Sequence, residues 1–333
     1  MSTDVTDIDF ESMSWSEAIR ESEVRQPFIV EGIISASSTL IYGEAKVGKS
    51  FLVSSLVASL VTGSDFLGRE VEDRDWKVAI CWTDDDGVAE YGERIATVLP
   101  DGIEPAVRFY GLPVMRTRRH WEALFARVMA DGSNFLVIDN LSQASRGSLN
   151  DDNAVKDFFD GVRIFTRAGI PVVIVGHSSE KRSDTGNKSD LPLGSSVISQ
   201  SVRWRCFYSR SRGKVNVRFS GNHAEAHSMT LDHGVGARFT VVEKKDAQAV
   251  KDEQQERTRT RDSATLDRNA DIARWVVAEC QGKGRNAAAE AIAGQFGGTL
   301  STAKTHLSKR SAYGCLLAPL PGNRWALAGP LAA

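Results

Sequence analysis

GEAKVGKS, residues 43–50, is the stretch from which the rest of the chain is read. The apolar run Thr39-Leu-Ile-Tyr42 stands before it and FLVSSLVASLV after it. A strand is therefore predicted to pass into a helix through a loop ending in Gly48-Lys49-Ser50. The stretch has the G-x4-G-K-S form of a phosphate-gripping loop. In that form the backbone of Gly43, Glu44, Ala45, Lys46, Val47 and Gly48, with the positive end of the next helix, surrounds the phosphates of ATP. Lys49 reaches the β and γ oxygens and Ser50 holds Mg2+. The bland alternative is a glycine-rich turn with an exposed lysine, and the strand before and helix after weigh against it.

Outward from the loop, short β-rich runs alternate with helix-period runs. Strands are predicted at 39–42, 77–82, 107–111, 135–139 and 171–176, with helices at 51–61, 90–98, 120–130 and 151–167. That rhythm implies crossover units and an α/β core with a mainly parallel sheet. Continuous apolar runs such as FLVID and VVIVG suit strands covered on both faces. After His177 the stretch SSEKRSDTGNKSDLPLGSS reads as a long loop. Runs at 214–219 and 237–243 read as a meander at the sheet edge, and 245–265, nearly devoid of apolar residues, as a charged linker, extended or helical, that closes the first domain.

A phosphate cradle alone hydrolyses nothing; a metal-holding acid and a group that orients water are also needed. Asp139 ends the strand FLVID, where a carboxylate can bind Mg2+ directly or through water. Asp84, Asp85 and Asp86 follow the strand KVAICWT at the same sheet edge. Three adjacent acids there repel one another unless a cation is near, which favours a role at the site. A helix N-cap at Asp86 or a solvated loop is the alternative. His177 ends VVIVG, at the edge where ligands of parallel sheets bind, and could sense a γ-phosphate or be structural.

The bulk properties are ordinary. The chain has 333 residues, 41% hydrophobic and 25% charged, with a net charge of −2, which fits a soluble protein of two domains. Cys81, Cys206, Cys280 and Cys315 lie far apart with no CxxC pair, so neither a zinc site nor a disulfide framework is expected, and a reducing cytoplasm fits best. The acidic start MSTDVTDIDFESM lacks the order of a signal peptide and no run is long enough to span a bilayer, so no membrane partner is expected. Residues 1–27 read as a polar arm with a short amphipathic piece at 15–20, and 28–245 as the core domain.

The last segment, 266–333, has its own order of helix, helix, Gly297-Gly298 turn, helix and a short β pair around Pro321-Gly322, the order of a winged helix-turn-helix. From Asp267 onward there are eight Lys or Arg against four Asp or Glu. On this reading a recognition helix at 301–314 offers Lys304, Thr305, His306, Ser308, Lys309 and Arg310 to DNA, with Arg324 in the wing. Winged helices also dock proteins, which is the competing reading.

Together these residues resemble the RecA-type P-loop ATPases, AAA_25 among them, and within that group the RepA-like hexameric replicative helicases. The likeness runs from about Phe28 to Glu243. PFIVEGIISASSTLIYGEAKVGKS and GSDFLGREV resemble the approach to the phosphate loop and the connector after it; FLVIDNLSQASRGSLNDDNA resembles the metal-acid strand and its acidic sequel. VIVGHSSEK resembles the strand with a sensor histidine, and LGSSVISQSVRW the strand with an arginine finger. The resemblance implies a RecA-like fold, ATP and Mg2+ as cofactors, a homo-oligomeric ring, a hexamer by analogy, and single-stranded DNA as partner. It makes Asp139 the metal acid, His177 the sensor and Arg203 a finger on a neighbour's γ-phosphate; the residues alone do not separate Arg203 from Arg205, which flank Trp204. Loops with Arg146, Lys181, Arg182 and Lys188 would face DNA. Two departures stand out: Asp84-Asp85 replaces the usual Glu-Asp, and a basic residue is missing near 220–225. The expected function is an ATP-hydrolysing DNA translocase, a replicative helicase; a recombination or repair ATPase and a nucleotide-switched DNA-binding regulator are the alternatives.

Overall fold

Phe135 and Val137 face one apolar layer and Leu136 and Ile138 the other, and this period of two is repeated across the centre of the molecule. Val78 and Ile80 share the first layer, Ala79 and Cys81 the second; Val173 and Val175 the first, Val172 and Ile174 the second. Such strands bury both faces, so they are apolar throughout. The computed structural model describes residues 12–179, 190–308 and 312–328. It divides into two compact units with the boundary between Val250 and Lys251.

The first unit runs α1 (Trp15–Val24), β1 (Phe28–Val30), β2 (Ile34–Ser35), β3 (Ser38–Gly43), α2 (Lys49–Thr62), β4 (Val78–Trp82), α3 (Gly87–Ala96), β5 (Val107–Gly111) and α4 (Arg118–Ala130). It continues with β6 (Phe135–Asp139), α5 (Leu141–Ala144), α6 (Asp152–Arg167), β7 (Val172–His177), α7 (Val197–Ser201), β8 (Trp204–Ser211), β9 (Lys214–Gly221), β10 (His227–His233) and β11 (Phe239–Lys245). The main sheet has the order β11-β10-β9-β8-β3-β7-β6-β4-β5. From β8 to β5 the strands are parallel, and β8 to β11 form an antiparallel meander. The mixed α/β core with a mainly parallel sheet is thus as the sequence predicts.

The meander departs from expectation. The strand that the resemblance places at 193–204 is instead α7 followed by β8, which begins only at Trp204. The residues alone predict two strands there and four are present, β8 and β10 being the additions. Only one of their faces is covered, so Trp204, Cys206 and Tyr208 are buried while Arg205, Phe207 and Ser209 between them are partly exposed. Alternation of that kind dilutes the apolar signal that the central strands carry undiluted. Packed on one face of the sheet are α2 and α3, and on the other α4, α6 and α7. Helix α2 is apolar nearly all round because it buries Leu52, Val53, Leu56, Val57 and Leu60 between the sheet and α3.

The second unit contains most of α8 (Ala247–Glu279), then α9 (Arg285–Phe296), α10 (Leu300–His306), a 3-10 turn at Ala312–Leu316, and the hairpin β12 (Leu317–Leu320) and β13 (Arg324–Leu327). Its own core gathers Ile272, Val276, Ala289, Ile292, Leu307 and Trp325. Two expectations change here. The charged linker takes the helical state that the sequence leaves open, and it is continuous with the helix predicted after it, the two forming one helix of 33 residues. Its Gln, Glu, Lys, Arg and Ala content is strongly helix-forming and lacks Gly and Pro, so a shortage of apolar residues does not break it. The helix predicted at 301–314 is helical only to His306 and resumes as the 3-10 turn; residues 309–311 lie outside the described residues. Among the described residues no helix is long and apolar enough to cross a membrane.

Candidate functional site

The C-terminal ends of β3, β7, β6 and β4 form one edge, the side on which parallel sheets bind ligands. Strand register fixes what meets there. Gly43 pairs with His177, Asp139 with Val175 and Trp82 with Asp139. Loop 43–50, His177, Asp139 and the acids after Trp82 are therefore neighbours. Asp139 shares the parity of Phe135 and Val137, so its carboxylate leans toward α2 and meets the first turn of that helix.

Ser50 Oγ donates to Asp139 Oδ2 at 2.8 Å, and the Tyr91 hydroxyl donates to the same oxygen at 2.7 Å. Burial raises the Asp139 pKa, opposed by those two hydrogen bonds; the charge of Asp84 raises it further and that of Lys49 lowers it. Lys49 is buried, with Nζ donating to the carbonyls of Gly43 at 3.1 Å and Glu44 at 2.6 Å. Burial draws its pKa down to about 8, against the pull of Asp139 and Glu44. A hydroxyl and one carboxylate side by side fit Mg2+, which binds through one or two carboxylates, water and substrate phosphates and needs no protein cage. Among the described residues no cluster of three or more His, Cys, Asp or Glu is placed to hold a metal.

The two glycines of the loop have local reasons. Gly48 is the N-cap of α2 at φ 106°, a conformation open to glycine, and no side chain caps the helix, which leaves its first amides without a side-chain acceptor. A Cβ on Gly43 would collide with the carbonyl oxygen of Tyr208. Tyr208 also lies beneath Gly48, where its hydroxyl is 3.2 Å from the place a Cβ would take. Tyr208, Tyr91 and Thr83, whose Oγ1 accepts from the Asn140 amide at 3.1 Å, are site residues that sequence reasoning missed. Tyr91 and Ile95 are one turn apart on one buried helix face, and that spacing reads as core.

The remaining candidates are placed as follows. Asp84, Asp85 and Asp86 are exposed, and Asp84 is the one whose charge acts on Asp139. Asp86 is the N-cap of α3 without a side-chain cap bond. Beside His177, the Ser178 amide donates to the Gly43 carbonyl at 3.0 Å. Arg203 is exposed, with its amide donating to Ser38 Oγ at 3.1 Å. Since Ser38 starts β3 and Gly43 ends it, Arg203 stands about 15 Å along the sheet from its own phosphate loop. Arg205 pairs with Leu40 and is half-buried. Arg146 is exposed and, with Arg116 and Thr117, lines a cavity of about 380 Å3. Lys304 lies on α10 in the second unit. Lys309 and Arg310 of the proposed recognition helix, and Lys181, Arg182 and Lys188, lie outside the described residues.

Lys49 gives the site a testable pH dependence. Its free-state pKa of about 8 lies below the ordinary 10.5, and a phosphate beside it would restore the proton. ATP affinity is therefore expected to fall as pH rises above about 8, approaching tenfold per unit, with net proton uptake on binding there. Calorimetry at pH about 8.5 in two buffers of different ionisation enthalpy measures that uptake. Identical heats in both buffers would rule it out.

A family model described as an AAA domain matches residues 6–183, more than half of the chain. No curated protein matches it. Among solved structures it is similar to one described as an ATPase domain, at 14% identity and a TM-score of 0.51, covering 70% of this chain and 100% of that one. It is also similar to one described as "Crystal structure of the RadB recombinase", at 15% identity and a TM-score of 0.44, covering 63% of this chain and 92% of that one. The first likeness is one of fold, the RecA-like P-loop core.

Proposed function

The chain belongs to the AAA domain family, and on that premise we propose that it is an ATP-hydrolysing DNA translocase, a RepA-like replicative helicase that works as a hexameric ring. The amides of 43–48 and the N-terminus of α2 take the phosphates, and Lys49 exchanges the Gly43 and Glu44 carbonyls for phosphate oxygens. Ser50 and Asp139 would hold Mg2+, and a cation bound there would supply positive charge beside the phosphates. Tyr91 holds the same Asp139 oxygen from α3. Asp84 orients the attacking water, with Asp85 next to it as the alternative, and His177, beside Gly43, senses the γ-phosphate.

One observation carries the ring: Arg203 is exposed and stands at the end of the sheet away from its own loop, so the γ-phosphate it can serve is a neighbour's. Single-stranded DNA would run past the loops after Asp139 and His177, where Arg146 is exposed. The test is the steady-state ATPase rate with and without single-stranded DNA, with the oligomeric mass recorded in the same buffers. Several-fold stimulation and a ring-sized mass are expected. A second reading, a nucleotide-switched DNA-binding regulator, has in its favour that Asp84 is a methylene shorter than the glutamate of the resembled family. A flat, near-zero rate despite ATP binding would replace the motor by that switch.

A further inference from the structure

From 281 to 328 the sequence holds six Lys or Arg and a single acid, Glu290. The fold of the second unit gathers four of those cations. The turn before α9 is stitched to β13: the Gly282 amide donates to the Asn323 carbonyl at 3.0 Å, and Gln281 Nε2 donates to the Trp325 carbonyl at 2.7 Å. Gln281 Oε1 accepts from the Trp325 amide at 3.1 Å, and Trp325 Nε1 donates to the Lys283 carbonyl at 3.1 Å. Arg285 then ties this turn to α10, its Nη2 donating to the Lys304 carbonyl at 3.1 Å. Lys283, Arg285, Lys304 and Arg324 are thereby carried on three segments held together by hydrogen bonds.

Between those segments is a pocket of about 200 Å3, polar at Arg285, Asn323 and Arg324 and apolar at Leu317, Leu320 and Trp325. Leu320 is 43% exposed, an apolar side chain left open to solvent. A concavity of this size with an apolar floor offers room for one heteroaromatic ring system. Two guanidiniums beside a small apolar concavity match a phosphodiester strand with one base turned out of the stack. Duplex DNA keeps its bases paired and stacked and has no base to offer such a pocket without flipping it.

We propose that this pocket receives one unpaired base of a single nucleic-acid strand, with Arg285 and Arg324 on the flanking phosphates and Asn323 at the base edge. The proposal rests on the reading of the chain as a DNA-acting protein and adds a second, base-sensing contact outside the ATPase unit. It makes the hairpin and the turn before α9, rather than the seven-residue α10 alone, the surface that meets DNA.

The test uses the full chain and fluorescence anisotropy with a labelled oligo-dT strand, an abasic strand of equal length and a duplex. The wild type is expected to bind oligo-dT about tenfold or more tighter than the abasic strand, the scale of one stacked base. Arg285→Ala with Arg324→Ala should weaken both single strands and flatten the slope of log affinity against log salt by about 1.4, the release of two phosphate contacts. Leu320→Glu, at an exposed position, should remove the preference for oligo-dT over the abasic strand while leaving ATP turnover intact. If both variants bind like the wild type while single strands still stimulate the ATPase, the pocket is overturned and the motor stands. Duplex and abasic strands bound as tightly as oligo-dT would leave a phosphate-only surface and overturn the base contact. A chain that ignores every oligonucleotide and shows no stimulation overturns both, and an acidic peptide becomes the candidate for the pocket.

Discussion

Lys49→Ala is expected to lower ATP turnover by at least about 10²–10³-fold, the loss seen when one preorganised donor to a developing charge is removed. The fold should survive the change. Lys49 is buried at an electrostatic cost, as its pKa of about 8 records, and its ammonium is bound to two backbone carbonyls and no ion pair among the described residues. Truncation leaves those carbonyls short of a donor, at about 1–3 kcal/mol, and relieves the burial of a charge, so the two effects offset. Apolar packing of α2 on the sheet through Leu52, Val53 and Leu56 is untouched. The expected variant is folded by circular dichroism and inactive by phosphate release. Full activity in a folded Lys49→Ala protein would remove the phosphate-site reading.

The sequence was informative where function compresses into contiguous residues. Gly43 to Ser50 carry their chemistry in one loop, and each glycine has a local steric reason, so the pattern could be read without its neighbours. Asp139 was legible for a different reason: the period of two along FLVID sets its face, and the strand end sets its edge. Tyr91 was not legible, because its hydroxyl reaches Asp139 from a separate helix, and a buried tyrosine at helical spacing looks like packing. The strands β8 and β10 were hidden by half-covered faces, and the continuity of α8 by a charged stretch in which high helix propensity comes without an apolar period. Arg203 and Arg205 flank Trp204 and are equivalent in sequence. Register separates them, since Arg205 pairs with Leu40 within the sheet while Arg203 stands exposed beside Ser38.

Arg203→Ala is expected to lower hydrolysis by about 10³–10⁵-fold, the range of an arginine finger, with little change in stability because the side chain is exposed. Arg205→Ala serves as the comparison and should retain turnover if Arg203 is the finger, because Arg205 is the less exposed of the two. The decisive measurement mixes Arg203→Ala subunits with Lys49→Ala subunits. Neither alone should hydrolyse ATP, but in the proposed ring a head-to-tail interface would join the loop of one subunit to the arginine of the next. An Arg203→Ala subunit supplies an intact loop, a Lys49→Ala subunit supplies an intact finger, and random pairing at equal ratio restores about one interface in four. Activity should therefore rise from the baseline to a maximum near equal mixing and fall again on either side. A flat line at every ratio, in samples where mixed oligomers are shown to form, would mean that Arg203 does not act across an interface. Its position far from its own loop would then leave it no role in hydrolysis at all.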